Sequence, residues 1–142
     1  MLRVKHLLNV KGAQVWSVEP EDPVLRAITV MADRHIGALP VLRGTELVGI
    51  VSERDYARKV ILLGRSSAET AVWEIMTAPV ITVTPDRTVH ECMQLVTEHR
   101  VRHLPVMEKN QLVGIVSIGD LVRAVIEEQQ ETITQLEKFI TG

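Results

Sequence analysis

Aromatic side chains are scarce in this chain. They make up 3% of its 142 residues, so a core has to be assembled from Val, Ile, Leu, Met and Ala. Cysteine is nearly absent as well. Cys92 stands alone, which excludes an internal disulfide and fits a reducing compartment, the cytoplasm being the simplest. No stretch approaches the ~18–20 apolar residues that span a bilayer. The opening run Met1-Leu2-Arg3-Val4-Lys5-His6-Leu7-Leu8 is too short and too charged for a secretory segment. A basic excess is missing too: 16 Lys and Arg face 18 Asp and Glu, for a net charge of −2 with His neutral. That balance argues against nucleic acid, whose readers carry a basic stripe.

Chemical signatures are equally thin. There is no Gly-x-Gly-x-x-Gly or Walker pattern. His6, His35, His90 and His99 have no metal-binding spacing, and one cysteine cannot complete a tetrahedral zinc site. Paired carboxylates and a nucleophile with its base are also lacking, so the reading is that of a non-enzyme without a catalytic cofactor or a metal. What is present is 46% apolar and 24% charged residues, the balance of a folded protein about one ordinary domain in size.

The dominant feature is an internal repeat. Displaced by 65 residues, the chain matches itself without a gap: Val18 falls on Val83, Pro20 on Pro85, Val24 on Val89, and Leu39-Pro40-Val41 on Leu104-Pro105-Val106. Leu47-Val48-Gly49-Ile50-Val51-Ser52 falls on Leu112-Val113-Gly114-Ile115-Val116-Ser117, and Asp55 on Asp120. Two copies are too few for a solenoid and imply a pseudo-symmetric pair. A looser echo, Val4–Leu8 against Val72–Met76, precedes each copy and suggests a leading helical turn.

Each copy reads as β-α-β-β-α. Val15–Val18 and Val80–Val83 are short β-rich runs. A helix after Pro23 gathers Val24, Ala27, Ile28, Met31 and Ala32 on one face, and its counterpart gathers Val89, Cys92, Met93 and Val96. Asp22 and Asp86 are placed to cap these helices. Two strands joined by turns at 43–46 and 108–111 follow, and a second helix starts after Ser52 or Ser117. Cys92 reads as a small buried hydrophobe, and Trp16 and Trp73 as packing residues. The fold class is therefore α+β. Its parts are a first unit over 1–65 with a short N-terminal helix, a second over 72–126, and a C-terminal helix extension over 127–142. Ile126, Gln129, Ile133, Leu136 and Ile140 recur at spacings of 3, 4, 3 and 4, a seam for a partner helix or for the helix folding back on its own core.

The motif pair Gly49-Ile50-Val51-Ser52-Glu53-Arg54-Asp55 and Gly114-Ile115-Val116-Ser117-Ile118-Gly119-Asp120, each with Leu-Pro-Val ten residues upstream, resembles the CBS (cystathionine-β-synthase) domain. The tandem is similar to a CBS pair, or Bateman module, and the likeness runs from about Val4 to about Ile126. It implies two units packed through their sheets, with two clefts that take AMP, ADP, ATP, NAD(H) or S-adenosylmethionine. It also implies a homodimer, and regulation of a protein target. With no enzyme attached, the chain resembles the free-standing members.

The residues themselves point the same way. Asp55 and Asp120 stand at helix starts, where a carboxylate is favoured by free amides and is able to accept a ribose diol; a plain helix cap is the simpler alternative. Ser52 and Ser117, three residues earlier, complete a Ser-x-x-Asp capping pattern at an end that also attracts anions. Arg54, matched by Gly119, is expected to meet phosphate together with Lys59. The resemblance adds Arg102 and His103 in the adenine and phosphate region of copy two. Gly37 and Ala38 stand there in copy one, and Ser17 and Thr82 lie where the family contacts the base edge. Cations facing phosphates count against S-adenosylmethionine. The expected function is a sensor of AMP, ATP or NAD(H) that passes occupancy to a partner protein. The alternatives are a constitutive dimeric scaffold with empty clefts and, least favoured, a nucleotide-processing enzyme.

Overall fold

A computed structural model describes residues 1–11 and 14–141. Residues 12, 13 and 142, inside the expected spans 1–65 and 127–142, lie outside the described residues. The elements are α1 (Val4–Lys11), α2 (Val24–Arg34), β1 (Ala38–Arg43), β2 (Glu46–Ser52), α3 (Glu53–Tyr56), α4 (Val89–His99), β3 (His103–Glu108), β4 (Gln111–Ser117) and α5 (Ile118–Thr141). A π-helical turn, Ala57–Ile61, prolongs α3, and a 3₁₀ turn spans Val72–Glu74. The sheets are two antiparallel hairpins, β1-β2 and β3-β4.

The repeat is visible element by element. In the first hairpin Ala38 pairs with Ser52, and a bulge shifts the register between Val41 and Leu42. Gly44 opens its two-residue turn at φ 64°, a conformation a glycine adopts without strain. The second hairpin turns through Lys109 and Asn110, both at positive φ, the signature of a type I′ turn. Helices α2 and α4 end on left-handed residues at equivalent positions, His35 and Arg100.

Two compact units result. One comprises residues 14–81 with 109–113; the other gathers α1 with residues 82–108 and the chain from 114 onward. The leading segments therefore do not join the copy they precede. Val72 and Ile75 are fully buried in the first-copy core, beside Val24, Met31, Leu39, Val41 and Val51. Thr77 and Ile50 exchange both backbone hydrogen bonds, at 2.8 and 3.1 Å, which pins this segment onto β2. Helix α1 is held in the second-copy unit, where the Val4 and Lys5 amides donate to the carbonyls of Arg87 and Pro85. The first unit's grouping thus differs from the chain-order span 1–65, because buried Val72 and Ile75 complete its core while α1 lies elsewhere.

Other expectations need correction. The runs at 15–18 and 80–83 are not strands: each contributes one parallel bridge, Val18 to Val41 and Val83 to Val106. Asp22 and Asp86 cap nothing. Asp22 instead accepts from the Glu19 amide, and α4 is capped by Thr88, whose hydroxyl accepts from the Glu91 amide. Trp73 is 56% exposed rather than packed, whereas Trp16 lies against the first-copy core under the Arg34 guanidinium, 3.8 Å from its ring centre. Cys92 is buried as read from its helix face, and burial pushes its thiol up to about 11. Helix α5 does not fold back on the core. Leu121 and Ala124 are buried, but Ile126, Ile133, Leu136 and Ile140 are roughly half to four-fifths exposed.

Candidate functional site

Each copy builds the same small structure where its second strand meets the following helix. In the first, Ser52 is the N-cap of α3: its hydroxyl accepts from the Asp55 amide at 3.1 Å, and Asp55 Oδ2 accepts from the Ser52 amide at 3.0 Å. In the second, the Asp120 amide donates to Ser117 Oγ at 3.1 Å and the Ser117 amide to Asp120 Oδ2 at 2.8 Å. The reciprocal bonds explain the Ser-x-x-Asp spacing, since one turn of helix brings the third side chain back over the cap. They also fix the rotamer of each aspartate, whose side chain is only 15% (Asp55) or 12% (Asp120) exposed.

The strand entering each hairpin is tied to the same corner. The Glu53 amide donates to the Gly37 carbonyl at 3.0 Å, and the equivalent Ile118 amide to the Arg102 carbonyl at 2.8 Å. Gly37, Ala38, Ser52, Arg54, Asp55 and Lys59 are thereby gathered in the first-copy unit, and Arg102, His103, Ser117 and Asp120 in the second. Ala38 is buried, so its side chain offers little surface to a ligand, while Gly37 is half-buried. Arg54 is exposed on the first turn of α3. Lys59 donates to the Ile75 carbonyl at 2.9 Å and lies 3.2 Å from Asp55 Oδ1, so its ammonium is already partnered. Ser17 lines a depression of about 370 Å³ together with Glu19, Asp22, Arg26 and Gly44. Thr82 is exposed next to the bridging Val83.

Sequence reasoning missed one member of the second-copy site. Lys11, at the end of α1, donates to Asp120 Oδ2 at 2.7 Å and to the Ile115 carbonyl at 3.0 Å. Its only sequence signal is the helical echo, which cannot tell which copy the helix joins. Burial pulls the Asp120 carboxyl upward, but the hydrogen bonds from Lys11 and Ser117 outweigh it and hold the group below its usual range. His103 is pushed the other way from a charged state. Burial first, then the Lys11 and Arg102 charges, lower its pKa against the opposing pull of Asp120.

The motif glycines also have a reason. A Cβ on Gly49 would enter the shell of Met76 Sδ and lie 2.9 Å from its Cγ, and one on Gly114 would lie 2.5 Å from Leu8 Cδ2. Met76 and Leu8 are equivalent residues of the echo, so each second strand carries a glycine where a leading segment crosses it.

Comparison with known proteins agrees with the repeated fold. The CBS-domain family model matches residues 10–61 and 72–127. The chain belongs to the CBS-domain family. It is 44% identical over 139 residues to the mitochondrial CBS domain-containing protein CBSX3 of Arabidopsis thaliana, covering 94% of this chain and 67% of that protein. A solved CBS-domain structure from Burkholderia ambifaria MC40-6 is 50% identical with a TM-score of 0.85, over 89% of this chain and 96% of that one. An inosine-5′-monophosphate dehydrogenase of Thermoplasma acidophilum is 31% identical over 121 residues, which is 84% of this chain but 24% of that enzyme, its CBS part alone. Among the described residues no helix is long and apolar enough to cross a membrane.

Proposed function

We propose that this CBS pair is a non-catalytic sensor of a phosphorylated adenosyl ligand, AMP, ATP or NAD(H), that passes its occupancy to a partner protein in a reducing compartment such as the cytoplasm. The carrying observation is the aspartate corner built twice. Each carboxylate spends Oδ2 on its own N-cap and keeps a second, fixed oxygen, beside cationic side chains. A ribose diol is a suitable donor for such an oxygen, and the phosphates suit Arg54 and Lys59 in one copy and Arg102 and Lys11 in the other. His103, kept neutral, hydrogen-bonds or stacks on a base without adding charge. The half-buried Gly37 admits a base edge, Ser17 and Thr82 are weaker candidates, and Ala38 serves through its backbone. The match to the dehydrogenase covers only a quarter of that enzyme, which favours a module without chemistry of its own.

Binding that favours one arrangement shifts the population toward it and transmits the signal. The exposed face of α5 supports a homodimer as the carrier of that signal, and it equally supports the second reading, a scaffold without a ligand. Calorimetric titration with AMP, ATP, NAD, NADH and S-adenosylmethionine separates the two. Micromolar binding that Asp55→Ala/Asp120→Ala loses while still folded establishes the sensor; silence with all five leaves the scaffold.

A further inference from the structure

The two motif aspartates each carry a lysine, but the lysines come from different places. Lys59 is one helical turn beyond Asp55. The equivalent position in the second copy is Ala124, 6% exposed against the core, where an ammonium has no room. Lys11 supplies the missing charge from α1, 109 residues away along the chain. Both ammonium groups do the same two things: they pair with the motif carboxylate and donate to a backbone carbonyl, Ile75 for Lys59 and Ile115 for Lys11. The ammonium groups sit on different oxygens, Lys59 on Oδ1 and Lys11 on Oδ2, so what recurs from unrelated positions is a cation on the motif carboxylate, and that recurrence points to a use at the site. Stability is a poor reason for it, because the Lys11 side chain is 38% exposed and an ion pair that wet contributes little.

Resting on the nucleotide-binding reading, we propose that Lys11 is a ligand-exchanging residue of the second-copy site. It holds Asp120 Oδ2 while the site is empty and turns to the ligand's phosphate when the ribose diol, one hydroxyl on Oδ1, brings its second hydroxyl to Oδ2. The pairing geometry allows this, since Oδ2 is already held by the Ser117 amide and Lys11 is an additional, partly solvated donor to it. The long lysine stem moves the ammonium by rotamer changes alone, with α1 still anchored through Val4 and Lys5.

The exchange makes a prediction that a structural role does not. In an Asp55→Ala background, which silences the first-copy aspartate, Lys11→Met is expected to weaken ATP binding roughly three- to tenfold, about the worth of one charge-assisted contact in solvent. The same variant is expected to strengthen binding of adenosine, which has no phosphate to lose and no longer competes with Lys11 for Asp120. Lys11→Arg keeps the charge and is expected to keep most of the ATP affinity. Opposite shifts for the two ligands, read by calorimetry on variants whose melts show them folded, support the exchange. Parallel shifts, or none, overturn it. Loss of all binding in Asp55→Ala alone overturns it while leaving a one-site sensor, and absence of binding to the unaltered protein overturns both readings.

Discussion

Replacing Gly49 by alanine tests how the first-copy unit is closed. The added Cβ would intrude on Met76 Sδ and lie 2.9 Å from Cγ and 3.3 Å from Cβ. Rotating the Met76 side chain moves Sδ and Cγ away but leaves the 3.3 Å contact with Cβ and forces the thioether off its packed rotamer, because the backbone at 76–77 is fixed. Thr77 and Ile50 exchange two backbone hydrogen bonds, and Val72 and Ile75 just before them are wholly buried. Overpacking of this kind costs about 1–3 kcal/mol. Gly49 has no positive φ, so stiffening the unfolded chain returns roughly 0.4–1 kcal/mol, and the net loss is about 1–2 kcal/mol. Urea titration is the assay, with a fall in melting temperature of roughly 2–8 °C expected alongside. The sharper reading is a double-mutant cycle with Met76→Ala, which removes the obstructing atoms. Coupling of at least ~1 kcal/mol is expected in the direction that makes the double variant better than additive. Additivity within ~0.5 kcal/mol would refute the claim that Met76 is why position 49 is glycine. Gly114→Ala should cost less, since only one terminal methyl of Leu8 stands closer than 3.5 Å.

Three further outcomes follow from the same geometry. His35→Gly and Arg100→Gly relieve left-handed helix ends and should each stabilise by up to about 1 kcal/mol in urea titration; a loss of stability in both would refute the strain. His103 has a folded pKa depressed below the usual 6.5, so the unfolded chain takes up its proton first; its contribution is whole above about that pH and is lost as pH falls toward the folded value. Stability measured from pH 7 to 5 should therefore decline, and His103→Gln should flatten the slope, whereas the Asp120 contribution, lowered likewise, is lost only below its usual 3.8. Ile133→Glu on the exposed face of α5 should convert a dimer to a monomer in sedimentation analysis without changing the melt of the isolated units; an unchanged mass would remove α5 from the interface.

Much of the fold was legible because it is written twice. A fixed displacement of 65 residues located both hairpins, both Ser-x-x-Asp corners and the glycine ahead of each, and local hydrogen bonding within three residues explains why that pattern survives translation into structure. The failures share another cause. Single bridges at Val18 and Val83 look like strands because apolar β-branched residues are favoured wherever a chain is half-buried, whether or not a ladder forms. Asp22 lost its capping role to a turn with Glu19, and Thr88 took the corresponding place in α4 through Glu91, a competition between near neighbours that propensity does not decide. Lys11 depends on a contact 109 residues away, and the exchanged leading segments on pairings 27 to 83 residues apart, for which one sequence holds no register. The exposure of α5, by contrast, resolved an alternative that spacing alone had left open.

The paired aspartate corners are expected to bind an adenosyl ligand. Isothermal titration with AMP, ATP, NAD and NADH, on the unaltered protein and on Asp55→Ala/Asp120→Ala with both shown folded, tests it most directly. Micromolar binding of at least one of these ligands is expected, and the double variant should lose it. Binding that survives the double substitution would contradict the assigned site, and no binding at all would contradict the function.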